Sequence, residues 1–583
     1  MLIDPYFLNS IFSLPADFGN HLIYVLLSFG GGALSAAFIK YLMKPLKDVF
    51  WILFCIFLAV FTPLGYLAGF AAGYLLFLHE TRDKPYEAPK PKLANTSFGS
   101  AEWATEKYLQ DNGLTSSEGL KLGLSAAGSP VSYKGDRHLL TVAPTRTGKG
   151  VSAIIPNLLT YEGSALVIDP KGENAMITAK RRGRGTEAIA GLGQDIHVVD
   201  PWGITNLQCS CFNPLDWLDP KDEDISENAF ILADAMIVSR GNKIDPFWDE
   251  EAKALLRGLI LHVAVSGDEQ GSRNLGRVRD ILLMKKQDFA VILNTMANSE
   301  NHIVSKTAEK LTAHEDKLRS NILAACQSHT HFLDSPRIRR SLSYSDFKFE
   351  DLKTKKQTIY LVLPVDRLNA FSAWLRLLIQ QAITVNSRNI TEKPDKPILF
   401  LLDEMASLGR LHMIEQAYSL MSGFGIQLWG IIQDLSQLDR IYDKGWETFL
   451  GNSGVLQYFG SRDLKTAEYF SKLCGVTTIE KTSTSNSTAT GVGSGQSTSN
   501  SWGNENGSHS QNQSTTDTEG TTTDVAQRQL AYADELMVLK NRTELLFIEN
   551  HNPVKGQKIT WYQDQPYSGL GINLEAKADG VED

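Results

Sequence analysis

Apolar residues recur along this chain with several spacings, and each spacing predicts a different element. The unbroken run comes first. Residues 22–41, LIYVLLSFGGGALSAAFIKY, are long enough at 1.5 Å per residue to cross a hydrocarbon core of roughly 30 Å, and residues 49–77 form a second run that one tilted helix bent near Pro63 would fill. Short apolar runs closed by Gly, Pro, Gln or acidic residues follow, and they predict buried strands. They are HLLTVA at 138–143, GSALVIDPKGE at 163–173, TIYLVLP at 358–364, KPILFLLDE at 396–404, GIQLWGIIQ at 425–433 and VLQYFG at 455–460. Apolar positions at i, i+3 and i+4 mark a helical stretch between about 220 and 335, in ENAFILADAMIV, DEEAKALLRGLILHV and RVRDILLMKKQDFAVILNTM.

The polar stretches complete the layout. HETRDKPYEAPKPK at 79–92 is a Pro-rich, charged linker between the apolar region 1–78 and a soluble body that begins near residue 93. The body divides into a first part at 93–219, a helical insert at 220–335 and a second part at 336–570, with an acidic tail at 571–583. Within the second part, residues 482–523 are dominated by Ser, Thr, Asn, Gly and Gln, with Glu505, Asp517 and Glu519 as the only Asp, Glu, Lys or Arg, too little apolar surface to offset ordering entropy, so a disordered loop is expected there.

Composition refines this picture without changing it. Hydrophobic content of 43% and charged content of 21% are ordinary for a globular chain, so the membrane part is local. A net charge of −9 argues against a broadly basic, DNA-coating surface, although a ring can enclose a nucleic-acid channel inside an acidic body. The five cysteines, Cys55, Cys209, Cys211, Cys326 and Cys474, form no C-x-x-C pair, and they read as reduced thiols. Residues 1–20 carry no Lys or Arg, while Lys40, Lys44 and Lys47 lie between the apolar runs. The positive-inside rule would put that turn in the cytoplasm; a hairpin with both ends inside is the reading adopted.

Candidate chemistry begins at TVAPTRTGKGVSAIIP, residues 141–156. It follows a strand, precedes a helix and carries Gly148-Lys149, the context of a phosphate-binding loop. Backbone N–H groups over Ala143, Pro144, Thr145, Arg146, Thr147, Gly148, Lys149, Gly150 and Val151 would cradle phosphate (Pro144 contributing shape alone), with Lys149 reaching the β and γ oxygens. Two positions depart from G-x-x-x-x-G-K-[ST]. Ala143 replaces the first glycine, and Gly150 removes the hydroxyl that normally faces magnesium, which leaves water, a carboxylate, Thr147 or Ser152 as substitutes. The strand ending in Asp403 and Glu404 supplies the other half: one carboxylate for Mg2+, the next for the attacking water. Gln433, ending the following strand, is suited to sensing the γ-phosphate, or else to satisfying a strand end.

In this order, APTRTGKG, VIDPKGE, LLDEMASLG and the Gln433 strand resemble the coupling ATPases of type IV secretion systems, the TraG/TraD-like family. FGSAEWAT at 98–105, DPFWDEEAKALLRGLILH at 245–262 and GSRDLKTAEYFSKLCG at 460–475 also look like that family's segments, and the likeness runs from residue 98 to about 565. The resemblance implies an α/β fold: a RecA-like P-loop NTPase motor domain with an inserted all-α domain and an N-terminal transmembrane hairpin. It also implies ATP and Mg2+, a homo-hexamer in the bacterial inner membrane, and contacts with secretion-channel components. The cargo it implies is a relaxase with single-stranded DNA, or effector proteins. Gly after the loop lysine is common in that family. Some relatives carry a basic residue in the turn where this chain has Ser422, Gly423 and Phe424, so an arginine acting across a subunit boundary must come from elsewhere. Arg462, after the VLQYFG strand, ranks first and Arg410 second. FtsK-like or HerA-like DNA pumps share the DPK and DE signatures, and an ATP-binding scaffold is the non-catalytic rival.

Overall fold

The computed structural model describes residues 98–237, 246–497 and 508–574. All belong to one unit, Asn95–Asp583. The apolar runs at 22–41 and 49–77, the linker and most of the acidic tail lie outside the described residues. Among those described, no helix is long and apolar enough to cross a membrane.

The strands that build the main sheet are, in chain order, β1 (Leu120–Leu124), β2 (Pro130–Tyr133), β3 (His138–Val142), β4 (Ala165–Asp169), β5 (Asp195–Val199), β6 (Gln357–Val362), β7 (Ile398–Leu402), β8 (Ile426–Ile432) and β9 (Ser453–Tyr458). After the β10 (Val476–Ser497) and β11 (Ser508–Gln529) ribbon come β12 (Thr543–Ile548) and β13 (Val554–Gln557). The eleven-stranded order is β2-β1-β13-β12-β9-β3-β8-β7-β4-β6-β5. Neighbours from β9 to β5 run parallel, and those from β2 to β9 antiparallel. Parallel strands need both faces covered, which is why their sequences are continuous apolar runs rather than alternating ones.

Side-chain alternation divides those runs between two cores. Leu140, Val142, Leu166, Ile168, Phe400 and Leu402 face one core, while Leu139, Val167, Leu399, Leu401, Trp429 and Ile431 face the other. The second core lies under α1 (Ile155–Thr160) and α2 (Glu173–Arg182), with Ile154, Leu158, Ala175 and Ala179 among its residues. Between β5 and β6 the described residues form helices and turns: α3 (Ile225–Met236), α4 (Pro246–Val265), α5 (Leu275–Leu282), α6 (Lys286–Ala297), α7 (His302–Ala313) and α8 (Asp316–Thr330) lead this stretch. Their apolar stripes join α9 (Leu368–Arg388) and one sheet face in a single continuous core. Gly258 lets α4 meet α7 closely, since a Cβ there would lie 2.4 Å from the Thr307 hydroxyl. Phe247, at the start of α4, is exposed and packs edge-on to Trp248, which is partly buried against the core.

One expectation is corrected. The polar segment 482–523 was expected to be disordered, but β10 and β11 pair antiparallel from Val476↔Gln529 to Ser497↔Ser508. A two-stranded ladder pairs the inward-facing half of its backbone groups and leaves the other half to water, without a buried core, and threonine, repeated through the segment, favours extended backbone. Residues 498–507 lie outside the described residues.

Candidate functional site

The site sits at the carboxyl ends of the parallel strands. The ladder continues one residue past β3, with Ala143 N–H donating to Ile432 O at 2.8 Å and Phe459 N–H to Val142 O at 2.9 Å. Ala143 is buried and does not adopt positive φ, so its backbone has no need of glycine there. The chain then turns sharply: Thr147 donates to Pro144 O through both its N–H and its hydroxyl, and Arg146 and Gly148 take φ of 64° and 90°. Beyond Lys149, residues Gly150–Ile154 form a π turn that runs into α1, with Ile155 N–H reaching back to Gly150 O. Pro156 has no N–H for a regular i−4 bond to Ser152 O, which is where the wider turn gives way to α1. A Cβ on Gly150 would meet nothing within 4 Å.

The far end of α1 is held by Arg182, which is fully buried with no carboxylate partner among the described residues. Its guanidinium donates to Leu158 O and Tyr161 O, each at 2.9 Å, and to Gly163 O, Thr358 Oγ1 and Gln194 Oε1. A cation on the last carbonyls of a helix opposes its negative end and fixes its direction.

Lys149 reaches from the end of β3 across β8 to the residues after β7. Its ammonium lies 2.9 Å from Asp403 Oδ1 and donates to Glu404 Oε1. Gln433, one residue past β8, donates through Nε2 to Glu404 Oε2 at 3.2 Å. Four of the residues singled out from sequence therefore converge from three strand ends. Glu404 has left-handed backbone, φ 59° and ψ 45°, a conformation that costs a non-glycine residue about 1–2 kcal/mol and that is typically retained where side-chain direction matters.

Burial pushes the Asp403 carboxyl above its usual range, Lys149 opposing and Glu404 adding to the shift. Burial alone would lower Lys149, but Asp403 and Glu404 outweigh it and hold the ammonium above its ordinary value. Despite its closeness to Lys149, Asp403 Oδ1 is buried and accepts no well-aligned hydrogen bond among the described residues. Asp169, ending β4, is pushed up to about 7 by burial, although Ala175 N–H donates to it at 2.8 Å.

The two candidate arginines differ. Arg462 is exposed in the turn after β9 and makes no ion pair among the described residues. Its neighbour Asp463 is engaged as the N-cap of the helix Leu464–Cys474, accepting from Thr466 N–H at 2.9 Å. Arg410 lies 3.6 Å from Asp443 at an exposed position. Phe424 is at the amino end of β8, away from the loop.

Sequence reasoning missed Lys558 and Glu544. Lys558 donates to Thr147 O at 3.1 Å and Phe459 O at 3.3 Å. Burial lowers Lys558 to about 8 and raises Glu544 to about 8. A polar thread runs beside them, from Trp429 Nε1 to Thr141 Oγ1, from that hydroxyl to Gln457 Oε1, and from Gln457 Nε2 to Glu544 Oε2. The available signal was polar residues at core positions of otherwise apolar strands: Thr141 in β3, Gln457 in β9 and Glu544 in β12.

A strand, a loop with its lysine, a crossing to an acidic strand end and helices over both sheet faces define an α/β P-loop NTPase. The chain belongs to the type IV secretory system conjugative DNA transfer family, which matches residues 96–579. It is similar to Protein VirD4 of Agrobacterium fabrum (strain C58 / ATCC 33970), 28% identical over 435 residues, which is 73% of this chain and 59% of that protein. It is also similar to the conjugal transfer protein TraG of Escherichia coli, 27% identical over 66% of this chain and 65% of TraG. The chain thus spans about three fifths of the length of the VirD4 relative it matches. Among solved structures, the bacterial conjugative coupling protein TrwBdeltaN70 aligns with a TM-score of 0.57 at 16% identity, over 79% of this chain and 92% of that one. TrwB in complex with the ATP analogue ADPNP aligns at 0.56, also at 16% identity, over 79% and 93%; at that identity the likeness concerns the fold.

Proposed function

We propose that the protein is an inner-membrane coupling ATPase of a type IV secretion or conjugation system, which takes a relaxase-bound single DNA strand or an effector protein and uses ATP hydrolysis to feed it to the secretion channel. The observation that carries this reading is the meeting of Lys149, Asp403, Glu404 and Gln433 beside a loop with positive φ at Arg146 and Gly148. Family membership agrees, as do the TrwB structures in complex with ADPNP and with ADP and Mg2+.

The residues divide the work by chemistry. The backbone of Ala143–Val151 cradles the phosphates, and Lys149, kept protonated by its carboxylates, exchanges them for phosphate oxygens. Asp403 suits Mg2+, because a buried carboxylate oxygen without an aligned donor is available to a cation. When bound, Mg2+ supplies charge neutralisation on the β and γ phosphate oxygens. Glu404 orients the attacking water, and Gln433 holds Glu404 and senses the γ-phosphate. The Thr147 hydroxyl donates its proton to Pro144 O, which leaves its oxygen lone pairs free, so water, Asp403, Thr147 and Ser152 all stand as substitutes for the hydroxyl absent at Gly150.

The finer architecture belongs to the same reading: a membrane hairpin at 22–41 and 49–77, an all-α domain within 220–335 that meets the cargo complex, and a hexamer in which Arg462 completes a neighbour's site. Arg462 makes no ion pair among the described residues whereas Arg410 faces Asp443, which supports Arg462 over Arg410. Co-assembly of inactive Arg462→Ala and Lys149→Ala chains should restore part of the activity, and full ATPase in Arg462→Ala alone would remove it. The reading as a whole is tested by phosphate release from ATP by the full-length protein. Release should need Mg2+ and vanish in Lys149→Ala; an unchanged rate in that variant sinks the proposal. Stimulation by single-stranded DNA separates a DNA cargo from a protein one.

A further inference from the structure

The chain that follows β13 returns to the loop. Ile559, Trp561, Tyr567 and Leu570 pack on Ile155 and Leu159 of the helix that follows the phosphate loop and on Ile177 of α2, and Ile572 N–H donates to Ile177 O at 3.1 Å. This strap begins with Lys558, anchored by its own N–H on Arg542 O at 2.8 Å. The Lys558 side chain is 4% exposed, and its ammonium lies 4.4 Å from the centre of the Phe459 ring. It supplies the hydrogen bonds of two carbonyls, Thr147 O in the loop and Phe459 O after β9, that receive no other donor among the described residues.

We propose that Lys558 is a positioning residue for the phosphate loop, fixing from beneath the orientation of the peptide that presents the Gly148 N–H to phosphate. In a trans peptide the carbonyl and the following N–H point in opposite directions, so a donor that captures Thr147 O aims Gly148 N–H away from itself. That N–H finds no acceptor among the described residues. Gly148 has a φ of 90°, in the region where glycine is freest to swing, and an unanchored peptide there could flip at little cost. The two lysines grip opposite flanks: Lys149 pulls toward β7, across β8, whereas Lys558 holds the β9 side. A neutral side chain of similar length would fill the space more cheaply but leave the buried Phe459 carbonyl and the partly buried Thr147 carbonyl without that donor.

This inference rests on the nucleotide reading above, and its test separates the two. Full-length wild-type, Lys558→Met and Lys558→Arg proteins are titrated with fluorescent ATP, assayed for turnover, and melted with and without ATP. Lys558→Met should raise Kd and KM for ATP about tenfold or more while kcat at saturation stays within about threefold, because ground state and transition state lose the same contact. Lys558→Arg, which keeps donors in that place, should regain part of the affinity. Wild-type affinity in a folded Lys558→Met chain overturns the proposal. If Lys558→Met does not fold, the arginine variant decides: a raised Kd with an unchanged nucleotide-free melting temperature supports positioning, and a lowered melting temperature with an unchanged Kd overturns it. A wild-type chain that binds no ATP sinks the nucleotide reading instead.

Discussion

The parallel centre of the sheet and the β10–β11 ribbon are both extended backbone, yet opposite sequences build them. β3, β4, β7 and β8 are buried on both faces, and their register is specified because a one-residue slip would exchange the two cores. The ribbon is mostly Ser, Thr, Gly, Asn and Gln, and Thr482, Ser483, Thr484 and Val492 are exposed. Two-sided polar strands specify register weakly. Function follows the difference: Lys149 can meet Asp403 and Glu404 because β3, β8 and β7 cannot slide past one another, and a site carried on the ribbon would have no such guarantee.

The largest expected effect lies at the fixed end. Glu404→Gln should retain ATP binding and lower turnover by about 10²–10³-fold, since it keeps shape and removes the group proposed to orient the water. A wild-type rate would strip Glu404 of that role. Next comes the packing that fixes register. Leu401→Ala empties a fully buried position in β7 and should cost about 2–5 kcal/mol in denaturant unfolding, whereas Thr484→Ala in the ribbon should stay within about 0.5 kcal/mol. Equal costs at the two positions would break the comparison.

A smaller effect probes the buried polar thread at the sheet's antiparallel flank. Glu544 is fully buried with Oε1 unpartnered among the described residues, and burial raises it from 4.5 to about 8. The folded state then holds an extra proton between those values, so Glu544 lowers stability progressively as pH rises through that window and adds nothing further above it. Glu544→Gln lacks this slope. It should melt above wild type near pH 8.5 and converge with it as pH falls toward the unfolded carboxylate value, about 4.5. A constant difference across that range would place the ionisation of Glu544 elsewhere.

The same contrast explains how much could be read from sequence. HLLTV, ALVID, TIYLV, ILFLL, IQLWGII and the strand holding VLQYF were legible because a strand buried on both faces is a continuous apolar run. The loop and the Asp403-Glu404 end were legible because local spacing carries their chemistry. β1 and β2 did not stand out because Lys121 and Gly123 in one, and Pro130 and Ser132 in the other, break the apolar run. The ribbon was misread because the argument from missing apolar surface concerns a core, and a ladder needs none. Lys558 was invisible for another reason: it stands 411 residues from Thr147, and only the return of β13 to the sheet brings them together.

The smallest expected effect belongs to the ribbon. Its described ties to the rest of the unit lie at its base, where Ala101 N–H donates to Val476 O, the Thr478 hydroxyl donates to Gly99 O, and Arg528 pairs with Glu535. Replacing 482–523 with a short Gly/Ser turn keeps those ties and shortens the connection between two ends that remain paired at Lys481↔Asp524. Closure entropy changes only logarithmically with loop length, so the melting temperature should hardly move, and ATP turnover should stay within about twofold of wild type. A loss of most turnover with folding intact would reverse the comparison: the strands with weakly specified register would then be contributing to the motor, most directly by ordering neighbouring subunits around the site at the sheet's carboxyl edge. Sedimentation of the shortened chain beside wild type distinguishes that outcome, because an assembly role predicts smaller particles, and a ribbon with no part in the motor predicts the same size.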